Sequence, residues 1–513
     1  MKSIGVIIAS FSDQEEKEFY NFISKKGKDK ESLPLKLFEI YRKDYNKTEA
    51  QILNELGIKE TNYFYQIRHR LKGLVEDFVL DLSIQSEGNY FTEVSNNINI
   101  AHYLRNKNLH EKALKALLKA EKICEQNSDF ELLVVVYSHM LAIAQVYPEI
   151  EVYEIIEKQI SARKKAEIFN QLEVDYSTFK YELYKSNYSL PHHEILGKLD
   201  NYLKQFHLYD LTKLESFNLQ YKVLSIIMEV MIYNDNTYEL FKQYEKNFLE
   251  WDSQLLFNKK NIEKKLSITY RMCLYLLRQF RFDECDAYLK RFHNDLQLPE
   301  AESLGSYLLL YYQVKTIVYA YTGKVSSAIY ATLDILERNL INNRIDVNFI
   351  FLFNLANFYF INNNFENSLD IFLKLEKKKS FSKYLTDSIR LDINIYKAMI
   401  MIMLKKKDIT LIKNLEQELP SGLTISQRKR DFINILIHIS KHKDWEQDSD
   451  YIKKLNTFLA TKTRLSIGDE EHICYNSFIK SLLNKKSYAE EFFQLVSKEV
   501  KLRTGIEKPI QLA

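Results

Sequence analysis

Residues 352–375 read LFNLANFYFINNNFENSLDIFLKL and contain a spacing that recurs along the chain. The small residue Ala356 is followed at +3 by Tyr359 and at +12 by a second small residue, Ser368, with large apolar residues at +16 and +19. Side chains three or four apart share one face of a helix, and small residues let two helices approach closely. The spacing therefore predicts two antiparallel helices that cross at Ala356 and Ser368.

The same spacing occurs in three further places. The second small residues lie 43 apart from Cys285 to Ala328 and 40 apart from Ala328 to Ser368. A helix pair repeated with a period of about 40–43 is typical of a solenoid, in which each pair buries an apolar face against the next. The further copies are Ala101, Leu104, Ala113, Leu117 and Ala120; Cys273, Leu276, Cys285, Leu289 and Phe292; and Thr316, Tyr319, Ala328, Thr332 and Ile335. The polar stretches 323–324, 362–364 and 405–408 are predicted to be the turns inside the pairs.

The composition agrees with long helices joined by short turns. Among 513 residues there are 11 glycines and 6 prolines, far below the usual share of about 7% and 5%. So few helix-breaking residues leave little room for β-hairpins or for glycine-rich phosphate loops. With 46% hydrophobic and 27% charged residues, the chain has the composition of a folded protein. We therefore predict an all-α fold.

Charge and motifs argue against a cofactor or a catalytic site. The formal net charge is +3, from 72 basic and 69 acidic residues, which gives no general attraction to nucleic acid or to anionic membranes. Cys273 and Cys285 fall at crossing positions and are predicted to be packing residues. No HExxH, paired CxxC or EF-hand spacing occurs. We expect no cofactor, no metal and no enzyme activity.

The apolar run Ile4–Ala9 is too short for a targeting or membrane segment. A signal peptide needs an apolar core of about 7–15 residues, and a membrane-spanning helix needs about 20. Acidic residues follow almost at once, at Asp13 and Glu15. We therefore expect no membrane association and, by default, a cytoplasmic protein.

Residues 1–92 differ from the remainder and are predicted to form an N-terminal helical domain that caps a solenoid of residues 93–513. Thr48 and Gln51 form a capping-box pattern that predicts a helix over Glu49–Leu56. The stretch 83–89 is the predicted linker. The other helices predicted in this domain begin near Asp13, cover Leu35 to Tyr41, and run from about Glu60 to Leu82.

This N-terminal pattern has a second interpretation. A helix over Glu49–Leu56, Gly57 in the turn and a helix from Thr61 have the order of a DNA-reading helix-turn-helix motif. Against it, the second helix is long and becomes acidic at Glu76 and Asp77, so a structural hairpin is the preferred interpretation. The candidate nucleic-acid contacts are Gln66, Arg68, His69, Arg70 and Lys72.

Two basic clusters are predicted at helix ends. Lys377–Lys379 and Arg428–Arg430 would there complement the helix dipole or meet solvent, with phosphate binding as the alternative.

The 352–375 unit resembles a tetratricopeptide repeat. The residues at that motif's signature spacing are Leu352, Leu355, Ala356, Tyr359, Ser368, Phe372 and Leu375. The resemblance implies a right-handed α-solenoid of antiparallel helix pairs that binds a protein or peptide on its concave surface. The period near 42 and the missing closing proline depart from the family pattern, so the array is a divergent one.

The first 82 residues resemble an uncharacterised family of bacterial helical-repeat proteins. That family brings no established activity to this chain. The similar stretches are Phe11–Glu15, Phe19–Phe22, Leu37-Phe38, Glu49–Ile52 and Ile67–Phe78.

In tetratricopeptide repeats the first helix of each pair lines the groove, close to its small residue. The resemblance thus implies these peptide-contacting residues: Tyr270, Arg271, Arg278, Gln313, Tyr321, Phe353, Asn354 and Asn357. Asparagine amides would hold a peptide backbone and arginine a carboxylate. We expect a non-enzymatic protein- or peptide-binding scaffold or adaptor. The alternative is a transcription regulator with an N-terminal DNA-binding hairpin.

Overall fold

The fold is entirely helical in the part of the chain that the structure describes. No strand occurs among those residues, and none of their helices combines the length and the apolar content needed to span a membrane. The computed structural model describes residues 3–9, 11, 13–25, 32–45, 47–85, 90–147, 151–185, 197, 200–201, 203–205, 207–208, 210–211, 214, 217–232, 237–257, 261–301, 304–337, 345–382, 384–418, 426–442, 444–461, 465, 473–507 and 510.

The α-helices of these residues are numbered in chain order. They are α1 Ser3–Ala9, α2 Asp13–Lys25, α3 Leu33–Lys43, α4 Glu49–Leu56, α5 Thr61–Gln85, α6 Tyr90–Asn106, α7 His110–Asn127, α8 Phe130–Ala144, α9 Val152–Lys185, α10 Phe217–Ile232, α11 Tyr238–Ser253, α12 Ile262–Arg278, α13 Phe282–Leu296, α14 Gly305–Tyr321, α15 Val325–Glu337, α16 Ile345–Ile361, α17 Phe365–Lys377, α18 Asp387–Met403, α19 Ile409–Glu418, α20 Gln427–Lys441, α21 Ser449–Thr461, α22 Tyr475–Asn484 and α23 Tyr488–Thr504. Short 3₁₀ turns lie at Pro299–Ala301, Lys379–Phe381 and Trp445–Gln447.

The chain divides into two compact units, Met1–Arg163 and Lys164–Ala513. The first unit holds two separate hydrophobic clusters, one from α1–α5 and one from α6–α9. The predicted boundary at residues 92 and 93 falls in the first turn of α6, inside this unit, and stays a prediction. Of the predicted linker 83–89, residues 83–85 belong to α5 and 86–89 lie outside the described residues.

The predicted N-terminal helices are confirmed within a few residues at their ends. Thr48 and Gln51 make both hydrogen bonds of a capping box at the start of α4, and Gly57 ends that helix in the left-handed conformation, with φ at 69°. The apolar stripes of α2, α3 and α5 meet in one cluster, where the rings of Phe19 and Phe38 stack 4.5 Å apart.

The second unit contains helix pairs at the predicted period. The helices α12, α14, α16 and α18 are each 17 residues long and begin at residues 262, 305, 345 and 387, at intervals of 43, 40 and 42. Leu309, Ile335 and Phe351 form one buried cluster drawn from both helices of the α14–α15 pair and from α16. An apolar flank of one pair is thus covered by the next, which is compatible with a helical repeat.

The two helices of a pair cross at the small residues that the sequence indicated. Ala356 and Ser368 have no exposed surface, and the Ser368 hydroxyl donates a 2.8 Å hydrogen bond to the carbonyl oxygen of Ala356. In the α12–α13 pair the buried Cys285 thiol donates in the same register to the carbonyl oxygen of Cys273, at 3.3 Å. Close approach and a side-chain hydrogen bond therefore join the helices at their crossing points.

Each turn inside a pair contains one residue in the left-handed region. The φ angles are 57° at Phe280, 87° at Gly323, 57° at Asn363 and 54° at Lys405. This conformation satisfies the last carbonyl groups of the first helix and reverses the chain. The polar bridges predicted at 323–324, 362–364 and 405–408 are confirmed as these turns.

The helix α23 passes three of these turns in reverse order. Its aromatic residues face the ends of α16 and α14, and its C-terminal arginine reaches the α12–α13 turn. In order along α23, the ring of Tyr488 lies 4.7 Å from that of Phe360, the ring of Phe492 lies 5.2 Å from that of Tyr321, and Arg503 donates a 2.7 Å hydrogen bond to the side-chain oxygen of Gln279. A single helix thus connects pairs that are distant in sequence.

Candidate binding surfaces

Three predicted peptide-contacting residues occupy equivalent positions in successive first helices. Tyr270, Gln313 and Phe353 each lie three residues before a crossing residue, and all three are half-buried. The ring of Phe353 lies 5.8 Å from that of Phe372 and 6.2 Å from that of Tyr396, so it packs between its own pair and the next. The three positions are therefore equivalent in the repeat, and Phe353 at one of them is used for packing between helices.

Arg271 and Tyr321 are engaged by their own chain. The Arg271 guanidinium lies 3.4 Å from the Glu229 carboxylate and donates to the carbonyl oxygen of Ser267 at 3.2 Å. Tyr321 is buried beneath Phe492 of α23. Sequence reasoning assigned both to an open groove because neither contact is visible in the repeat pattern. Arg278 is half-buried on the same row of first-helix positions as Tyr321.

Asn357 has a polar atom that the described chain does not satisfy. The residue is 6% exposed, and its side-chain oxygen is buried with no hydrogen-bond partner among the described residues. Asn354, one turn earlier on α16, is half-buried. A buried acceptor without a donor destabilises the fold by about 1–3 kcal/mol, which a donor from a bound ligand would relieve.

A groove at the end of the α18–α19 pair has a volume of about 720 Å³. We call it the lysine groove. Ile402, Ile412 and Leu482 supply half-buried apolar lining, and Ile409 is 70% exposed at its mouth. The lysines on its wall are Lys405, Lys406, Lys407, Lys413 and Lys441.

The acidic residues of the lysine groove are already engaged. Asp408 accepts a 2.9 Å hydrogen bond from the backbone N–H of Leu411 at the start of α19. Glu416 pairs with Lys441, and Glu446 lies 3.4 Å from Lys485.

Three lysines of the same groove keep unbalanced charge. Lys406 lies 3.7 Å from Glu366, whereas Lys405, Lys407 and Lys413 make no ion pair with a described residue. The groove therefore presents excess positive charge above an apolar floor. Sequence analysis interpreted Lys405–Lys407 only as a turn, although three lysines with Ile409 two residues further on were the available signal.

A smaller cavity of about 400 Å³ lies between the C-terminal half of α23 and the α12–α13 and α14–α15 turns. Arg281 and Glu284 on its wall are 2.8 Å apart, and Arg281 also donates to the carbonyl oxygen of Arg503 at 3.2 Å. The polar groups of this cavity thus serve contacts between α23 and the repeats.

The surface of α5 carries the residues of the DNA-binding interpretation. Gln66, His69, Arg70 and Lys72 are exposed, while Arg68 is half-buried. The exposed aromatic residues Tyr63 and Tyr65 stand beside them, at 43% and 42% exposure. Lys72 lies 3.4 Å from Glu76, one turn away. Four of the five predicted contacts are therefore open to solvent on α5.

The cluster Arg428–Arg430 lies in the first turn of α20, the end of a helix where cations are disfavoured. Arg428 donates to the carbonyl oxygen of Phe458 at 3.2 Å and to the Thr461 hydroxyl at 2.7 Å. Lys429 is buried and lies 2.5 Å from the Asp392 carboxylate. These two side chains hold neighbouring helices together.

The four cysteines are free and buried. Burial raises the pKa of the Cys273 thiol well above its usual value, and the neighbouring Cys285 thiol raises it further. Since the thiolate is the nucleophile and the metal ligand, a protonated thiol suits the predicted packing role. Within the described ranges, no three His, Cys, Asp or Glu side chains form a group that could hold a metal ion.

Comparisons of the chain with protein families, with curated proteins and with solved structures found no significant match. The resemblances to tetratricopeptide repeats and to a bacterial helical-repeat family therefore stay predictions.

Proposed function

We propose that this protein is a non-enzymatic, cytoplasmic scaffold or adaptor, built as a right-handed, divergent tetratricopeptide-like solenoid that binds a protein or peptide on its concave surface. The observation that carries the proposal is the unsatisfied side-chain oxygen of Asn357, one residue after the crossing Ala356. A backbone N–H of an extended peptide is a donor of the right kind for this oxygen. The aligned positions of Tyr270 and Gln313 on the preceding first helices extend the same surface.

The proposal is tested with a displayed library of random peptides selected on the purified full chain. Enriched peptides are then measured against the wild type and against the double variant Gln313→Ala with Asn354→Ala. We expect the variant to bind at least tenfold more weakly, because both half-buried amides lie on the proposed surface. A matched control changes Asn96 and Asn99, both exposed on α6, to alanine and should leave binding unchanged.

Two results would refute the proposal. Selection would yield no peptide above background, or the enriched peptides would bind the Gln313 and Asn354 variant as tightly as the wild type. A change of Asn357 to leucine gives a further check, since it replaces the unsatisfied amide by an apolar group of similar size. It should weaken peptide binding without lowering stability.

A DNA-binding regulator is the second candidate, and the exposed row Gln66, His69 and Arg70 on α5 favours it. Residues 1–92 contain 14 Lys and Arg against 15 Asp and Glu, which disfavours attraction to phosphates and keeps this candidate second. Anisotropy of a labelled duplex with the full chain tests it. Binding that falls with salt and is lost on changing Arg70 and Lys72 to alanine would establish this function.

A further inference from the structure

We infer that the lysine groove, defined above by its wall of Lys405, Lys406, Lys407, Lys413 and Lys441, binds an acidic peptide segment in which carboxylates alternate with large apolar side chains. This inference deepens the proposed function and rests on it in one respect, that the ligand is a peptide. The groove is separate from the first-helix row, because it lies at the end of the α18–α19 pair and is closed by α20 and α22.

The volume and the lining fit such an occupant. A groove of about 720 Å³ lies in the range of ligand-binding sites, roughly 300–1,000 Å³. Its half-buried Ile402, Ile412 and Leu482 form an apolar floor, and Ile409 is 70% exposed beside it. A large side chain that covered Ile409 would remove apolar surface of both partners from water.

The charge of the groove selects the polar part of the ligand. Lys405, Lys407 and Lys413 are exposed and have no carboxylate partner among the described residues, while the acidic residues of the wall are already used. An unpaired ammonium beside an apolar floor attracts a carboxylate that stands next to an apolar side chain. Nucleic acid fits less well, since the only aromatic ring among the described residues of the wall, that of Trp445, is 7% exposed and offers no stacking surface.

Another lysine cluster of the chain provides a matched control. Lys377, Lys378 and Lys379 are exposed at the end of α17 and do not line the lysine groove. A triple change to glutamine there removes the same charge as a triple change of Lys405, Lys407 and Lys413. The apolar floor has a control as well, because Leu255 is 79% exposed at the end of α11 and can be changed to asparagine in parallel with Ile409.

The probe is a fluorescein-labelled decapeptide of alternating glutamate and leucine, titrated into the full chain at low salt and followed by anisotropy. Neutralising Lys405, Lys407 and Lys413 should weaken binding about tenfold, since each exposed ion pair contributes about 0.5 kcal/mol. Ile409→Asn should also weaken it several-fold. The Lys377–Lys379 and Leu255→Asn controls should bind as the wild type does, and a glutamine–leucine decapeptide should bind at least tenfold more weakly.

Equal binding of the probe to the wild type and to the Lys405, Lys407 and Lys413 variant overturns the inference. Binding of a single-stranded oligonucleotide through these lysines, without binding of the peptide, also overturns the inference. The proposed function has its own separate readout, because library peptides that depend on Gln313 and Asn354 support it whatever the lysine groove does.

Discussion

Replacing Phe492 by alanine should loosen three helix pairs together, because α23 contacts the turn of each. Phe492 is 2% exposed, and its ring lies 5.2 Å from that of Tyr321 and 5.8 Å from that of Tyr488. A buried phenylalanine removes roughly 175 Å² from water, which at about 25 cal/mol/Å² stabilises the fold by about 4 kcal/mol. The observed range for Phe→Ala in cores is about 3–5 kcal/mol.

Native-state hydrogen exchange measures this loss locally. A reduction of 3–4 kcal/mol in the opening free energy lowers amide protection by a factor on the order of 10²–10³. The loss should appear in α23 and in the turns near Phe280, Tyr321 and Phe360, which are separated by about 40 residues each in sequence. The control is Leu502→Ala, on the same helix at 57% exposure, which should change protection little.

Unchanged protection at the Phe280 and Phe360 turns would refute the reasoning. It would mean that the contacts of α23 are local and that the three pairs open independently of it. Loss of protection in all three turns with Leu502→Ala as well would refute it too, since an exposed side chain would then have the effect attributed to burial.

Three further perturbations have defined outcomes. Asp392→Asn should lower the free energy of unfolding, measured in urea, by about 3–5 kcal/mol, because it leaves the buried Lys429 charge without its partner. Replacing both residues, Asp392 by Leu and Lys429 by Met, should leave the free energy of unfolding nearly unchanged. Ser368→Ala should lower the free energy of unfolding by about 1 kcal/mol, because the hydrogen bond to Ala356 is lost. Ser368→Leu should lower it clearly more, because the buried crossing has no space for a larger side chain. Equal losses for the two variants would contradict the close crossing. Burial and the nearby Asp129 carboxylate raise the pKa of Tyr90 to about 12 from its usual 10. The folded protein thus favours the protonated phenol, so the stabilisation by this group is complete below pH 10 and is lost as the pH rises from 10 to 12. In alkaline unfolding, Tyr90→Phe should reduce this loss of stability between pH 10 and 12.

The sequence predicted those features that depend on residues close together in the chain. The capping box of Thr48 and Gln51 and the crossing of Ala356 with Ser368 are set by spacings of 3 and 12 residues, so a pattern within one window reveals them. The turns were predicted for the same reason. The turn at Phe280 was not predicted, because a phenylalanine in the sequence does not indicate a turn, although this one is buried and has a positive φ.

The candidate surfaces were less predictable because they depend on contacts between distant segments. Phe492 covers Tyr321 from 171 positions further along the chain, and no periodicity relates the two residues. The lysine groove likewise combines residues from Ala398 to Leu482, which belong to α18, α19 and the turn between them, α20, the 3₁₀ turn at Trp445, and α22. The spacing of the repeats identifies which side chains are equivalent, but it does not show which of them a later helix will cover.

The reach of α23 across earlier helices has a consequence for synthesis on the ribosome. The turns of the α12–α13, α14–α15 and α16–α17 pairs are complete when residue 377 has been added, 111 residues before α23 begins at Tyr488. At roughly 5–20 residues per second, that interval lasts about 6–20 s. During it α23 is not yet present to cover Tyr321 and Phe360. We therefore expect chaperones that bind exposed aromatic residues to recognise this edge of the repeats on the nascent chain.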